Sequence, residues 1–185
     1  MILAGGRSTR MGSDKASLIL DGKMLIEIVV NNLKEGGFSQ IVVSVRDFKQ
    51  SEWIKNIFEN NVETVIDSDD SKGIWDVLKF SLPSDEIVQI VSVDSPWFDG
   101  KSIRQLTSVL KRNSGKIGVV PWSKDGPEPL LMQVKSSNLL EIMSNSKPMQ
   151  LRKFVNSKNF KELNWKELTN PNALKNLNYP HDLPN

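Results

Sequence analysis

The chain has 185 residues, 38% hydrophobic and 25% charged, the composition of a folded globular protein with a sizeable core and not of a disordered one. Its 24 Lys and Arg stand against 22 Asp and Glu, a formal net charge of +2, so no global basic excess points to nucleic acid and any anion site must be local. The absence of cysteine excludes disulfides, thiolate zinc sites and cysteine nucleophiles, and His181 alone is available for a Ser-His-Asp triad.

In chain order, Ile2, Leu3 and Ala4 form an apolar run that predicts a first strand, and Gly5-Gly6 follows it. Paired glycines let main-chain N–H groups face a ligand. Arg7, Arg10 and Lys15 then place three positive charges within nine residues, so the stretch predicts a phosphate loop. Met24 to Lys34 carries Leu25, Ile28, Val29 and Leu33 at helical spacing and ends at Gly36-Gly37. Ile41 to Val45 is a β-branched run suited to a buried strand, and Lys49 to Asn60 returns to helical spacing through Trp53, Ile54, Ile57 and Phe58. Val62 to Ile66 is a third strand, Ile74, Val77 and Leu78 mark a third helix, and Ile87 to Val93 is a fourth strand ending in Asp94-Ser95-Pro96.

A helix over Lys101 to Lys111 follows, N-capped at Asp99 or Gly100, and Lys116 to Val120 makes a fifth strand. Pro121 to Pro129 reads as a loop or hairpin, Leu130 to Val134 as an added strand, Leu139 to Met143 as a short helix, and another helix starts at Pro148. Beyond Asn156 the pattern weakens. Alternating strands and helices imply an α/β fold: a three-layer α/β/α, Rossmann-like, mostly parallel sheet, with residues 1–185 forming a single domain. Ligands bind such sheets beyond the carboxyl ends of the strands, where both the glycine loop and Asp94 fall. Trp97 and Trp122 follow strand ends on that same edge. No apolar run reaches the roughly 20 residues that span a bilayer, and no charged leader precedes a hydrophobic segment, so a cytoplasmic protein is expected.

The spacing excludes two familiar loops, for neither G-x-G-x-x-G nor G-x-x-x-x-G-K-S/T occurs. Instead, Leu3-Ala4-Gly5-Gly6, Ser8, Arg10-Met11-Gly12, Asp14-Lys15-Ala16 and Leu18 closely resemble the signature of molybdenum cofactor guanylyltransferases, within the wider α/β nucleotidyltransferase family. Asp94-Ser95-Pro96 matches that family's second motif, Pro129-Leu130-Leu131 resembles one of its strands, and Asn176 to Leu183 is similar to its C-terminal Asn-x-Asn-x-Pro-x-Asp-Leu.

The resemblance implies transfer of GMP from GTP to molybdopterin with release of pyrophosphate. It implies nucleotide contacts from Leu3, Ala4, Gly5 and Gly6, charge balance from Arg10 and Lys15, and Mg²⁺ at Asp94. A nucleoside contact near the end of the third strand falls on Asp67, with Asp69 and Asp70 as competitors because the segment around Ser71-Lys72-Gly73 is shortened relative to the family. A further contact falls near Ser44, where the family more usually has asparagine. Asn176 and Asn178 are assigned to the pterin side. Partners implied are GTP, molybdopterin and a cofactor-delivery protein. Two alternatives stay open: a cytidylyl- or guanylyltransferase acting on another small phosphorylated acceptor, and a nucleotide-binding partner in cofactor assembly without turnover. Ser95 resembles the guanylyl branch, where cytidylyl relatives tend to carry glutamine.

Overall fold

Successive residues of a strand face opposite sides of its sheet, and here that period of two sorts the apolar residues into two cores. A computed structural model describes residues 1–6, 14–68, 71, 73–84 and 87–177. Its elements are β1 (Ile2–Leu3), β2 (Ile19–Leu20), β3 (Lys23–Met24), α1 (Leu25–Glu35), β4 (Val42–Val45), α2 (Phe48–Ile57), β5 (Glu63–Ile66), α3 (Ile74–Ser81), β6 (Val88–Gln89), β7 (Val91–Ser92) and α4 (Gly100–Arg112). After these come β8 (Gly118–Ser123), β9 (Gly126–Pro127), β10 (Gln133–Val134), α5 (Ser136–Ser144), α6 (Leu151–Val155) and β11 (Phe160–Asn164). Ile2, Ala4, Val43, Val45, Val91, Val93 and Val119 join one buried cluster with residues of α1, α2 and α4. Their neighbours Met1, Leu3, Val88, Ile90 and Val120 join the other, with residues of α3, α5 and α6. Helices therefore cover both faces, as the alternation of elements requires.

The sheet order β5-β4-β1-β7 is parallel throughout. Only Ile90 separates β6 from β7, and its N–H donates to Met132 O at 2.9 Å, so one stretch of chain passes from β1 on one side to β10 on the other. β10 runs antiparallel to both β6 and β8, and β11 runs parallel to β8. The short first strand is laced from both sides: Ala4 N donates to Ser44 O at 2.9 Å, and Val93 N donates to Leu3 O at 3.1 Å.

Several expectations are corrected. Leu130 to Val134 is not a strand throughout, because Pro129–Leu131 forms a 3-10 turn before β10. The fifth strand does not stop at Val120 but runs through Pro121 to Ser123, and the Pro121 carbonyl accepts from Glu128 N at 2.8 Å. A strand residue points its N and its carbonyl to the same side, so the donor that proline lacks faces Glu128 and leaves the pairing with β11 intact. Beyond Asn156, where the sequence pattern weakens, lies β11. Asp99, of the two capping candidates, caps α4 by accepting from Ser102 N at 2.8 Å.

The end of α1 meets the start of α4 closely. A Cβ on Gly100 would lie 2.6 Å from the Glu35 Cβ and 3.1 Å from Gly36 N. Gly100→Ala should therefore cost about 1–3 kcal/mol, the usual range for overpacking, in a denaturant titration. Wild-type stability in that variant would mean that the two helices part freely.

Candidate active site

Gly5, Arg46, Asp67 and Asp94 follow the carboxyl ends of β1, β4, β5 and β7. A cleft of about 510 Å³ opens there, with Leu3, Gly5, Gly6, Ser44, Arg46 and Asp67 among its lining. Its far wall is the start of α3, through Gly73, Ile74 and Val77, and Ser92 and Leu130 complete it. The volume suits a nucleotide-sized ligand.

Gly5 has to be glycine for a reason that involves Asp67. A Cβ there would overlap Asp67 Oδ2 and lie 3.0 Å from its Cγ, so the carboxyl group occupies the space that a side chain would fill. Asp67 in turn accepts a hydrogen bond from Ser44 Oγ, and its N–H donates to Val45 O at 2.7 Å. The serine thus holds the carboxyl against the glycine loop. Burial raises the Asp67 pKa above the ordinary carboxylate value, and the Ser44 hydrogen bond works against that rise.

The native state holds the Asp67 proton more tightly than the unfolded chain, so stability falls as pH climbs from the ordinary Asp range through the raised value. Asp67→Asn keeps an acceptor for Ser44 and carries no charge. It is expected to melt above the parent at neutral pH, with the two melting curves converging in acid. Coincident curves at every pH would contradict the assigned cause.

Lys15 and Asp94 come from stretches 79 residues apart and meet beside the cleft. Lys15 Nζ lies 2.8 Å from Asp94 Oδ2, with side chains 18% and 19% exposed, and it also donates to Leu177 O at 3.1 Å. Ser92 Oγ donates to Asp94 Oδ1 at 2.6 Å. The C-terminal stretch is tied to the same point, for Leu177 N donates to Asp94 O at 2.7 Å and Ser95 Oγ to Asn176 Oδ1 at 2.8 Å. Asn176 therefore lies beside the second motif.

The residues fit a hard cation. An ionised carboxylate has about four acceptor positions, so Asp94 Oδ1 and Oδ2 keep acceptor capacity beyond their contacts to Ser92 and Lys15. Among the described residues no group of three or more His, Asp or Glu side chains converges on a metal position. Mg²⁺ is commonly held by one or two carboxylates together with substrate phosphates and water, which is the donor set that Asp94 would complete.

Of the sequence-predicted residues, Leu3, Gly5, Gly6 and Asp67 line the cleft, Ala4 sits at the loop's root, and Lys15, Asp94 and Asn176 cluster beside it. Arg10, Asp69, Asp70, Asn178 and His181 lie outside the described residues. Trp97 and Trp122 do not line the cleft: the Trp97 carbonyl accepts from Asn170 Nδ2 at 2.9 Å, and Trp122 pairs with Pro127 in the β8–β9 hairpin.

The sequence reading missed Arg46, Gln50, Ser68, Ser71 and Ser92. Arg46 pairs with Asp47 at 2.8 Å and with Asp14 at 3.4 Å, and the Arg46 hydrogen bond holds the Asp47 carboxyl below its ordinary value. The position after a predicted strand was the available signal for Arg46.

Comparison with known proteins bears on the family and the fold. The model of the MobA-like NTP transferase domain matches residues 1–162. A curated protein from Methanothermobacter thermautotrophicus, described as a probable molybdenum cofactor guanylyltransferase, is 31% identical over 132 residues, covering 70% of this chain and 66% of that relative's length. A crystal structure of molybdopterin-guanine dinucleotide biosynthesis protein A from Archaeoglobus fulgidus superposes with a TM-score of 0.74 at 25% identity, covering 98% of this chain and 92% of that one. A nucleotidyl transferase from Methanothermobacter shares the fold, with a TM-score of 0.74 at 14% identity over 98% of this chain and 91% of its own.

Proposed function

We propose a transfer of GMP to a molybdenum-cofactor acceptor, on the premise that the chain belongs to the MobA-like NTP transferase family. In this reading a phosphate oxygen of molybdopterin attacks the α-phosphorus of GTP, the bond from that phosphorus to the α–β bridging oxygen breaks, and pyrophosphate leaves with the electron pair. The observation that carries it is the 2.8 Å approach of Lys15 to Asp94 at the side of the glycine cleft.

The acceptor phosphate is already anionic, so the reaction calls for positioning and charge balance more than for a general base. The chain's single histidine is no obstacle to it. Leu3, Ala4, Gly5 and Gly6 hold the nucleotide at the loop, and Asp67 accepts from the guanine N–H edge or the ribose hydroxyls. Lys15 and Arg10 balance phosphate charge. Asp94 would hold Mg²⁺, which when bound would supply positive charge against the triphosphate and the leaving group. Asn176 and Asn178 meet the pterin, and their amides can both donate and accept.

Residues 1–185 act as a single transferase domain in the cytoplasm, and a cofactor-delivery protein supplies the acceptor. Among the described residues no helix is long and apolar enough to cross a membrane. The bond that breaks is tested by labelling GTP at the α- or the γ-phosphate in the presence of molybdopterin and Mg²⁺. The α-label is expected in the pterin product and the γ-label in pyrophosphate. A γ-label in inorganic phosphate would contradict the reading.

A further inference from the structure

Both flanks of the glycine loop hang on one side-chain amide. Gln50 lies in the first turns of α2 and is 3% exposed. Its Nε2 donates to Ala4 O at 3.1 Å, where β1 runs into the loop, and to Asp14 Oδ2 at 2.8 Å, immediately before Lys15. Its Oε1 accepts from Arg46 N at 2.7 Å, at the end of β4. The amide thus spends both donor hydrogens and an acceptor on three separate segments.

Asp14 passes this constraint to Lys15. Its Oδ1 accepts from Ala16 N at 3.0 Å, and its carbonyl accepts from Ser17 N at 3.1 Å and Ser17 Oγ at 2.8 Å, so it caps the 3-10 turn that carries Lys15. Gln50 is itself fixed at the helix start, where its N–H donates to Asp47 Oδ1 at 2.8 Å. Neither helix propensity nor packing demands a fully bonded amide at a buried position, and burying one unpaired is costly. The side chain has a task that a leucine would not perform.

We propose that Gln50 is a positioning residue for the transfer reaction: it fixes the distance between the two flanks of the loop and so the placement of Lys15. The proposal rests on the transferase reading. Gln50 touches no reacting atom and acts through Asp14. Its loss should affect the chemical step, where the placement of Lys15 matters, more than the ground-state grip on the nucleotide.

The test uses Gln50→Glu and Gln50→Met in the full chain. Glu keeps an acceptor for Arg46 N but sets a carboxylate against Asp14 and the Ala4 carbonyl; Met fills the space without polar atoms. In both, the Ala16 amide is expected to exchange with solvent about tenfold or more faster, while Ile103 in the α4 core keeps its wild-type rate. The turnover number should fall about tenfold to a hundredfold, and KM for GTP should move by less than about twofold.

Unchanged exchange at Ala16 overturns the proposal, as does faster exchange with unchanged turnover. An equal acceleration at Ile103 also overturns it, by showing general destabilisation. A wild-type protein with no turnover would defeat the transferase reading and the catalytic half of the proposal, whereas Ala16 exchange would still decide whether the amide holds the turn.

Discussion

Lys15→Ala is expected to lower pyrophosphate release about a hundredfold or more, on the order of 3 kcal/mol of transition-state stabilisation, the usual scale for removing one charge-stabilising donor. The turn that carries Lys15 is held by hydrogen bonds from Ala16 and Ser17 to Asp14, so truncation leaves its backbone bonds in place. The ammonium contacts Asp94 Oδ2 and the Leu177 carbonyl. Side chains at such 18% exposure remain within reach of a ligand arriving from solvent. Steady-state kinetics across GTP and acceptor concentrations measures the effect. A loss confined to KM would assign Lys15 to uniform binding, and an unchanged rate would remove it from the mechanism.

Gly5→Ala should abolish measurable GTP binding and destabilise the protein by about 1–3 kcal/mol, the range for forcing atoms into filled space. The new methyl group would overlap Asp67 Oδ2 and also approach Arg46 N at 3.2 Å. Relief requires Asp67 to swing away from Ser44, which breaks its hydrogen bond and empties the one acidic group on that wall of the cleft among the described residues. Two comparisons isolate the cause. Gly6→Ala meets nothing within 4 Å among the described residues and should stay near wild-type stability. Gly5→Ala combined with Asp67→Gly should recover stability without recovering binding, a non-additivity expected of side chains in contact. Calorimetric titration with GTP and thermal melting of these three variants, of Asp67→Gly alone and of the wild type would show it, and a Gly5→Ala protein that binds GTP normally would contradict it.

The parts of the fold that were legible in the sequence are those where one physical signal dominates. Ile41 to Val45 is a dense β-branched run, and α4 presents Ile103, Leu106 and Leu110 on one buried side. The hairpin of β2 and β3 carries its own signal in Asp21-Gly22, whose φ angles of 51° and 77° are the left-handed pair of a two-residue turn. β11 was not legible. Its burial runs buried, exposed, exposed, buried, half-buried, so Phe160-Lys161-Glu162-Leu163-Asn164 shows no alternation, and pairing with β8 imposes the strand from outside.

At the site, Gly5, Gly6, Lys15 and Asp94 stand out in the sequence because the proposed phosphate loop needs particular residue types at fixed spacing. Gln50 does not. In sequence it is a polar residue of a helix, and its partners Ala4 and Asp14 lie 46 and 36 positions away. The Ser44–Asp67 contact is half visible in sequence, since each residue stands near the end of a strand while their mutual hydrogen bond is a product of the β4–β5 register.

The proposed reaction is transfer of a guanylyl group to the molybdenum cofactor by the loop and Asp94 together. It is met most directly by a grid of four nucleoside triphosphates against molybdopterin and other small phosphorylated acceptors, with Mg²⁺ present and pyrophosphate as the readout. Release is expected from the pairing of GTP with molybdopterin and from neither alone. Folded protein that releases no pyrophosphate in that pairing, or that releases it preferentially with CTP or with another acceptor, would contradict the account.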